Sequence, residues 1–168
     1  MSLSLRQIER SDQQFLWEML YQSLYVQKGE PPFPPDVVSR PEIARYAADW
    51  GREGDIGFIA LDDEGGKPIG AAWLRLLMGA GRGYGHVDNE TPELAMAVLR
   101  EHRGQGVGSA LLARLMGSAA AIYGAVSLSV SADNPALRLY ERNGFEIVSG
   151  DGTSLIMVAR LTGRAGLL

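Results

Sequence analysis

Residues 93–109 read ELAMAVLREHRGQGVGS, and this stretch decides the predicted fold. Its first half is apolar and predicts a strand over residues 93–99. Three glycines at alternate positions follow, and an amphipathic helix is predicted over residues 106–123. A helix start of this kind can bind an anion, because its first turn has free N–H groups and the positive end of the helix dipole. Arg100 and Arg103 add positive charge to the same turn.

Three other interpretations of this glycine-rich turn compete with anion binding. The plainest is a turn that only reverses the chain. A P-loop would end in Gly-Lys-Ser or Gly-Lys-Thr, and the sequence lacks that ending. A dinucleotide-binding turn would have an acidic residue about 20 positions later, where this chain has Leu128 and Ser129.

A second motif, NPALRLYERNGF over residues 134–145, changes the balance between these interpretations. Taken alone, Asn134 is a helix cap and Tyr140 is a core aromatic residue. Arg103, Gly106 and Gly108, followed by this second motif in the same order along the chain, resemble the two signatures of the GNAT acetyltransferases. The resemblance extends over most of the chain, and the first half, with Gly-Tyr-Gly at residues 83–85, is similar to one branch of that family.

The remaining pattern fits the fold that this resemblance implies. Strands are predicted over residues 3–8, 56–61, 69–77, 125–131, 145–148 and 155–161. Helices are predicted from Ser11, with Gln14 at capping-box spacing, over residues 41–50, and from Asn134-Pro135. The prediction is an α+β fold, the GNAT fold, with a mixed, mostly antiparallel β-sheet flanked by helices. Residues 1–168 are predicted to form a single acyl-CoA N-acyltransferase domain, ending in a loose tail over residues 162–168.

The resemblance implies acetyl-CoA as the co-substrate and assigns its binding residues. Met96, Ala97 and Val98 would pair with the pantetheine arm as if it were an added strand, and Asn134 would contact the same arm. A backbone N–H of Met96 or Val98 would face the thioester oxygen. The residues implied at the pyrophosphate are Arg103, Gly104, Gln105, Gly106, Val107, Gly108 and Ser109.

The resemblance further implies that two side chains move protons during direct transfer to an amine. A protonated amine cannot attack a thioester, so a base is needed, and Glu93 at the start of the predicted central strand is the candidate. Asp88 and Glu90 are the reserves, and the alternative role for Glu93 is to cap the strand or attract a cationic substrate. Tyr140 is the candidate acid that protonates the leaving thiolate.

The acceptor pocket is predicted from aromatic and acidic residues. Tyr84 and Asp88 are the substrate-binding candidates, and a cluster of Asp88, Glu90 and Glu93 would favour a small cationic amine, although it could equally be a solvated loop. Other aromatic residues that could line the pocket, or simply pack in the core, are Trp17, Tyr21, Tyr25 and Trp73.

The composition of this 168-residue chain limits the kinds of partner that it is expected to bind. A net charge of −4 argues against nucleic acid, and the sequence has neither a signal peptide nor a membrane-spanning run. It contains no cysteine, and its two histidines have no metal-ligand spacing, so a metal-free protein of the cytoplasm is predicted. The predicted acceptor is a small amine or a peptide N-terminus, and a homodimer is allowed. A larger acyl-CoA as donor, or a non-catalytic acyl-CoA sensor, remains as an alternative.

Overall fold

In a computed structural model of the protein, which describes residues 2–161, the chain forms seven β-strands and four α-helices. The strands are β1 (Leu3–Gln7), β2 (Ile56–Asp62), β3 (Pro68–Arg75), β4 (Glu93–Val98), β5 (Ala125–Ser131), β6 (Glu146–Gly150) and β7 (Ser154–Arg160). The helices are α1 (Gln13–Ser23), α2 (Pro41–Ala44), α3 (Val107–Ala119) and α4 (Leu137–Arg142). The predicted α+β class is confirmed. The tail predicted over residues 162–168 lies outside the described residues.

All seven strands of the described part belong to one sheet, in the order β1-β2-β3-β4-β5-β7-β6. Every neighbouring pair is antiparallel except β4 and β5, which run parallel. The prediction of a mixed, mostly antiparallel sheet is therefore confirmed.

The parallel strands β4 and β5, in the middle of the sheet, are paired only over a short stretch. β4 pairs with β3 along its whole length, and β5 does the same with β7. Between β4 and β5 the only register pair is Glu93 with Ser127, beside a hydrogen bond of 3.0 Å from Ser127 N to Pro92 O. Beyond this point the two strands diverge, and the opening between them is called the split below.

Helices cover both faces of the sheet, because successive side chains of a strand point to opposite sides. In β2, Phe58 belongs to the core under α3, whereas its neighbour Ile59 belongs to the core under α1. Buried residues of the α3 side include Ile69, Leu74, Leu111, Leu112, Leu115, Val126 and Met157. Those of the α1 side include Leu16, Met19, Leu20, Ala71 and Trp73.

Helix boundaries are where the structure departs from the sequence predictions. α1 begins at Gln13, after a 3₁₀ turn over Arg10–Asp12, because the carboxylate of Asp12 accepts a 2.7 Å hydrogen bond from Glu9 N. The predicted cap at Ser11 was wrong. α4 begins at Leu137, because Asn134 Oδ1 accepts from Ala136 N at 2.9 Å and forms a turn ahead of the helix.

α2 is much shorter than the helix predicted over residues 41–50, and a buried arginine explains why. Arg75 Nη1 donates to the carbonyl oxygens of Arg45, at 3.1 Å, and Ala48, at 2.6 Å. Its guanidinium also pairs in bidentate fashion with Asp55, through Nε at 3.0 Å and Nη2 at 2.8 Å. Carbonyls held by side chains in this way keep residues 45–49 in irregular turns. No helix within residues 2–161 is long and apolar enough to cross a membrane.

Candidate active site

A cavity of about 200 Å³ lies in the split between β4 and β5. Its strand walls are Leu94, Ala95 and Met96 on β4, and residues 128–131 on β5. The other lining residues are Leu20, Ser23, Leu24, Tyr25, Ile43, Tyr46, Tyr84, Asn134, Tyr140 and Ser154. Within the described chain, every side chain that lines this cavity is apolar, a hydroxyl or an amide, and therefore uncharged at neutral pH.

The glycine-rich turn lies at the start of α3 and has an open backbone. Gly104 and Gly106 have φ values of 75° and 86°, which other residues rarely adopt. A Cβ atom at either position would meet nothing within 4 Å, so a bulky group can approach this side of the turn. Val107, Gly108 and Ser109 form the first turn of α3, where backbone N–H groups have no helical carbonyl to bind.

Arg103 and Gly108 connect this turn to the split. Arg103 Nε donates to Val98 O at 2.8 Å, so its guanidinium group lies at the end of β4. A Cβ atom on Gly108 would lie 3.3 Å from Leu139 Cδ2 and 3.5 Å from Met96 Cε. The glycine therefore allows the start of α3 to pack closely against both β4 and α4.

The backbone of β4 presents Met96 and Val98 to the split. Successive residues of a strand direct their N–H and C=O groups to opposite edges. Leu99 N donates to Ile69 O at 2.8 Å on the β3 side, so the groups of Ala97 also face β3. Those of Met96 and Val98 then face the split, where β4 has no strand partner beyond Glu93 among the described residues.

Tyr140 and Asn134 both line the cavity. Burial raises the pKa of Tyr140 to about 12, so its phenol is protonated at neutral pH. Its ring packs edge-on against Phe145, with centroids 5.8 Å apart. Within residues 2–161 the Tyr140 hydroxyl has no hydrogen-bond partner, so it is available to a ligand.

Glu93, the predicted base, is buried behind the cavity wall, with only 1% of its surface exposed. Its Oε1 accepts hydrogen bonds from Tyr46 Oη at 2.8 Å and from Gly85 N at 2.8 Å. Its Oε2 accepts from Gly83 N at 2.9 Å. The carboxylate thus accepts three hydrogen bonds, and it is Tyr46 rather than Glu93 that lines the cavity.

These contacts fix residues 83–85, called the Tyr84 loop below, against the wall of the split. Tyr46 Oη accepts from Tyr84 N at 2.8 Å while it donates to Glu93. A Cβ on Gly83 would clash with Tyr46 and Glu93, and one on Gly85 would lie 2.8 Å from the backbone of Leu128. Only glycines fit at both positions, and together they present Tyr84, 57% exposed, at the mouth of the cavity.

The predicted acidic cluster does not form. Asp88 and Glu90 are exposed, and neither is part of the cavity lining. Asp88 Oδ1 accepts from Glu90 N at 2.9 Å, and backbone hydrogen bonding lowers the pKa of Asp88. Its carboxylate is therefore engaged in its own turn rather than aimed at the cavity.

The aromatic candidates divide between the cavity and the core. Tyr25 lines the cavity, and its hydroxyl donates to Asp133 O at 3.2 Å. Trp73 is fully buried, with Nε1 donating to Tyr46 O at 2.8 Å. Two others, Trp17 and Tyr21, lie outside the lining, the first packed on the α1-side core and the second bonded to Phe33 O. Sequence reasoning missed Tyr46, which no local motif marks.

Comparison with known proteins gave one family and many similar folds. The family model described as the acetyltransferase (GNAT) family matches residues 15–145. No curated protein matches the sequence. The ribosomal-protein-S18-alanine N-acetyltransferase from Escherichia coli is 19% identical, with 95% of this chain and 94% of that chain covered and a TM-score of 0.64.

Two further solved structures are similar to a comparable degree. The GNAT domain of S. lividans PAT is 19% identical, with 94% of this chain and 89% of that chain covered and a TM-score of 0.66. A spermidine N-acetyltransferase, a SpeG chimera from Vibrio cholerae and hSSAT, is 22% identical, with coverage of 96% and 97% and a TM-score of 0.62. At these identities the three structures support the fold alone.

Proposed function

The chain belongs to the acetyltransferase (GNAT) family, and on that premise we propose that it moves an acetyl group from acetyl-CoA to a primary amine. The transfer is direct, in a complex that holds both substrates. Acetyl-CoA supplies the acetyl group in activated form, as a thioester. The two solved structures named as a spermidine N-acetyltransferase and as a ribosomal-protein-alanine N-acetyltransferase have similar TM-scores to this chain. The fold alone therefore does not select the acceptor.

The residues around the split fit acetyl-CoA. The open turn at Gly104 and Gly106 and the free N–H groups at the start of α3 suit a pyrophosphate, with Arg103 beside them. Met96 turns its backbone groups to the split, and Val98 its N–H, where a pantetheine arm would add as a strand, while Val98 O is already bound by Arg103. Asn134 offers its side-chain amide to the same arm from the opposite wall.

The same wall residues can assist the chemistry. The N–H of Met96 would donate to the carbonyl oxygen as negative charge develops there during attack. Tyr140, protonated and without a partner in residues 2–161, would donate to the leaving sulfur. The observation that carries the proposal is that the Tyr140 side chain lines the cavity beside the edge of β4 that is unpaired in the described chain, while Arg103 connects the glycine-rich turn to the end of the same strand.

The test is thiol release from acetyl-CoA across a panel of amines, combined with calorimetry of acetyl-CoA binding. Because the chain contains no cysteine, a thiol reagent reports only the CoA that is released. We expect saturable binding, amine-stimulated release and a product heavier by one acetyl group. Binding without release for every amine would favour the sensor alternative, and an absence of binding would refute the proposal outright.

The donor is tested in the same assay with octanoyl-CoA, which addresses the alternative of a larger acyl chain. A cavity of about 200 Å³ favours acetyl-CoA, because it leaves little room for both an octanoyl chain and an acceptor. The cytoplasmic location, the single-domain organisation and a homodimer remain predictions beside this proposal.

A further inference from the structure

Resting on the proposed function, we infer that the acceptor is a primary amine of low basicity, which enters the cavity already uncharged. An α-amino group next to a carbonyl is an amine of this chemical class. The inference follows from the composition of the cavity and from the contacts of Glu93.

The cavity is unsuited to a cation. Its lining within the described chain combines aliphatic side chains with serine hydroxyls, one amide and phenols. Burying an ammonium group among such residues is unfavourable, because no side chain lining the cavity in residues 2–161 carries a negative charge that could replace the lost hydration, and the Glu93 carboxylate behind the wall already accepts three hydrogen bonds. A neutral amine loses less hydration, and the serines and tyrosines can still hydrogen-bond to its nitrogen.

Glu93 is poorly placed to take a proton from the acceptor. Its oxygens already accept from Tyr46, Gly83 and Gly85, and its side chain is not part of the lining. The hydrogen bonds from Gly83 N and Gly85 N would both weaken if the carboxylate lost its charge. The geometry makes Glu93 a positioning residue that holds the Tyr84 loop.

Tyr46 cannot replace it as a base. The titratable groups that face the cavity are the phenols of Tyr25, Tyr46, Tyr84 and Tyr140, with Glu93 behind them. Burial and the neighbouring Glu93 carboxylate raise the pKa of Tyr46, so its hydroxyl stays protonated and donates a hydrogen bond to Glu93. The surplus proton of the attacking nitrogen must therefore pass to water.

Every proton moved in the transfer can be accounted for without a carboxylate base. The nitrogen lone pair forms the new C–N bond while the C–S bond breaks, and Tyr140 donates a proton to the departing sulfur. The nitrogen releases its surplus proton to water, and Tyr140 recovers one from water. An acceptor that is largely unprotonated in solution reacts best by this route.

The inference is tested by pH profiles of kcat/KM for two acceptors with the same apolar body, leucinamide and isoamylamine. The α-amine of the first has a pKa of about 8, and the alkylamine of the second one of about 10.4. At about pH 7.5 roughly a quarter of the first is neutral, against about 0.1% of the second. We expect leucinamide to have a kcat/KM about 10²-fold higher, and each profile to level off at the pKa of its own acceptor.

Two results would overturn the inference while leaving the proposed function standing. One is a pair of profiles that bend at the same pH for both amines, which indicates a titrating group of the enzyme. The other is a higher kcat/KM for spermidine than for every weakly basic amine of the panel at about pH 7.5. The absence of thiol release with all amines, cationic ones included, would instead refute the proposed function.

Glu93→Gln separates the positioning role from base catalysis. A positioning residue whose loss loosens the Tyr84 loop should raise KM, and the profile should still level off at the acceptor's pKa. A base should lower kcat by about 10²–10⁴-fold and remove the acid limb of the profile, which would contradict the inference. Glu64→Gln, the same change at an exposed position in the turn between β2 and β3, is the matched control.

Discussion

Replacing Gly85 with alanine should push the Tyr84 loop away from β5. The added Cβ would lie 2.8 Å from the carbonyl carbon of Leu128 and 2.9 Å from Ser129 N. Both atoms belong to a strand that pairs with β7 over its whole length, so the strand has little freedom to retreat. The loop must move instead, and the hydrogen bond from Gly85 N to Glu93 lengthens or breaks.

The size of the effect follows from two contributions. Carbon atoms in ordinary contact lie 3.4–4 Å apart, so the alanine must be displaced by at least 0.6 Å from Leu128. Overpacking of this kind costs about 1–3 kcal/mol, and weakening one hydrogen bond to a buried charge adds about 1 kcal/mol. For a chain of this length each kcal/mol lowers Tm by about 2–4 °C. Because Tyr84 moves with the loop, KM for the acceptor should rise as well.

Urea unfolding and steady-state kinetics of Gly85→Ala test this prediction. Gly81→Ala is the matched control, because it lies in the same segment, has no positive φ and would place its Cβ in open space. We expect the control to unfold like the wild type. If the free energies of unfolding of the two variants agree within about 0.5 kcal/mol, the steric reasoning about the loop is refuted.

Three further perturbations probe the Tyr140 hydroxyl, the glycine-rich turn before α3 and an ion pair. Tyr140→Phe should slow the chemical step at least about tenfold in single-turnover kinetics, with acetyl-CoA affinity unchanged; a wild-type rate would make Tyr140 a packing residue. Ser109→Glu places a carboxylate in the first turn of α3, so calorimetry should show weakened acetyl-CoA binding while thermal stability is kept or raised; undiminished binding would place the pyrophosphate elsewhere. Hydrogen bonds from Arg6, at 2.8 and 2.9 Å, lower the pKa of Asp12. Because the native pKa is lowered, the ionised Asp12 stabilises the fold at pH values above its unfolded pKa of about 3.9, and this stabilisation is lost in acid. The loss of unfolding free energy caused by Asp12→Asn, measured in urea, should therefore become smaller below about pH 4. A loss that stays constant with pH would contradict this reasoning.

Sequence reasoning succeeded where a pattern was local. The bounds of β5 were predicted as observed, because Val126, Leu128 and Val130 alternate with serines over the whole strand. The glycine-rich turn was also found from neighbouring residues, since Gly104 and Gly106, both with positive φ, lie just before α3. The roles assigned to these residues remain predictions.

It failed where distant side chains decide the local structure. Residues 45–49 have a helical pattern, yet their carbonyl oxygens accept hydrogen bonds from the side chains of Trp73 and Arg75. Both of these donors lie more than 20 positions later in the sequence. Tyr46 becomes a cavity residue only through this arrangement. Glu93 was correctly placed at the start of the central strand, but its burial depends on donors from a loop whose path the sequence does not specify.

The buried Arg75 has a consequence for how this protein can diverge. It binds backbone carbonyls of the segment after α2, and any amino acid supplies a carbonyl. Most side chains of that segment can therefore drift in related sequences without loss of the contact, Tyr46 excepted. The number of residues cannot change as freely, because an insertion would shift the carbonyls out of reach. Related chains should thus vary in the amino acids of this segment but preserve its length. Arg75 and Asp55 should be substituted only as a pair.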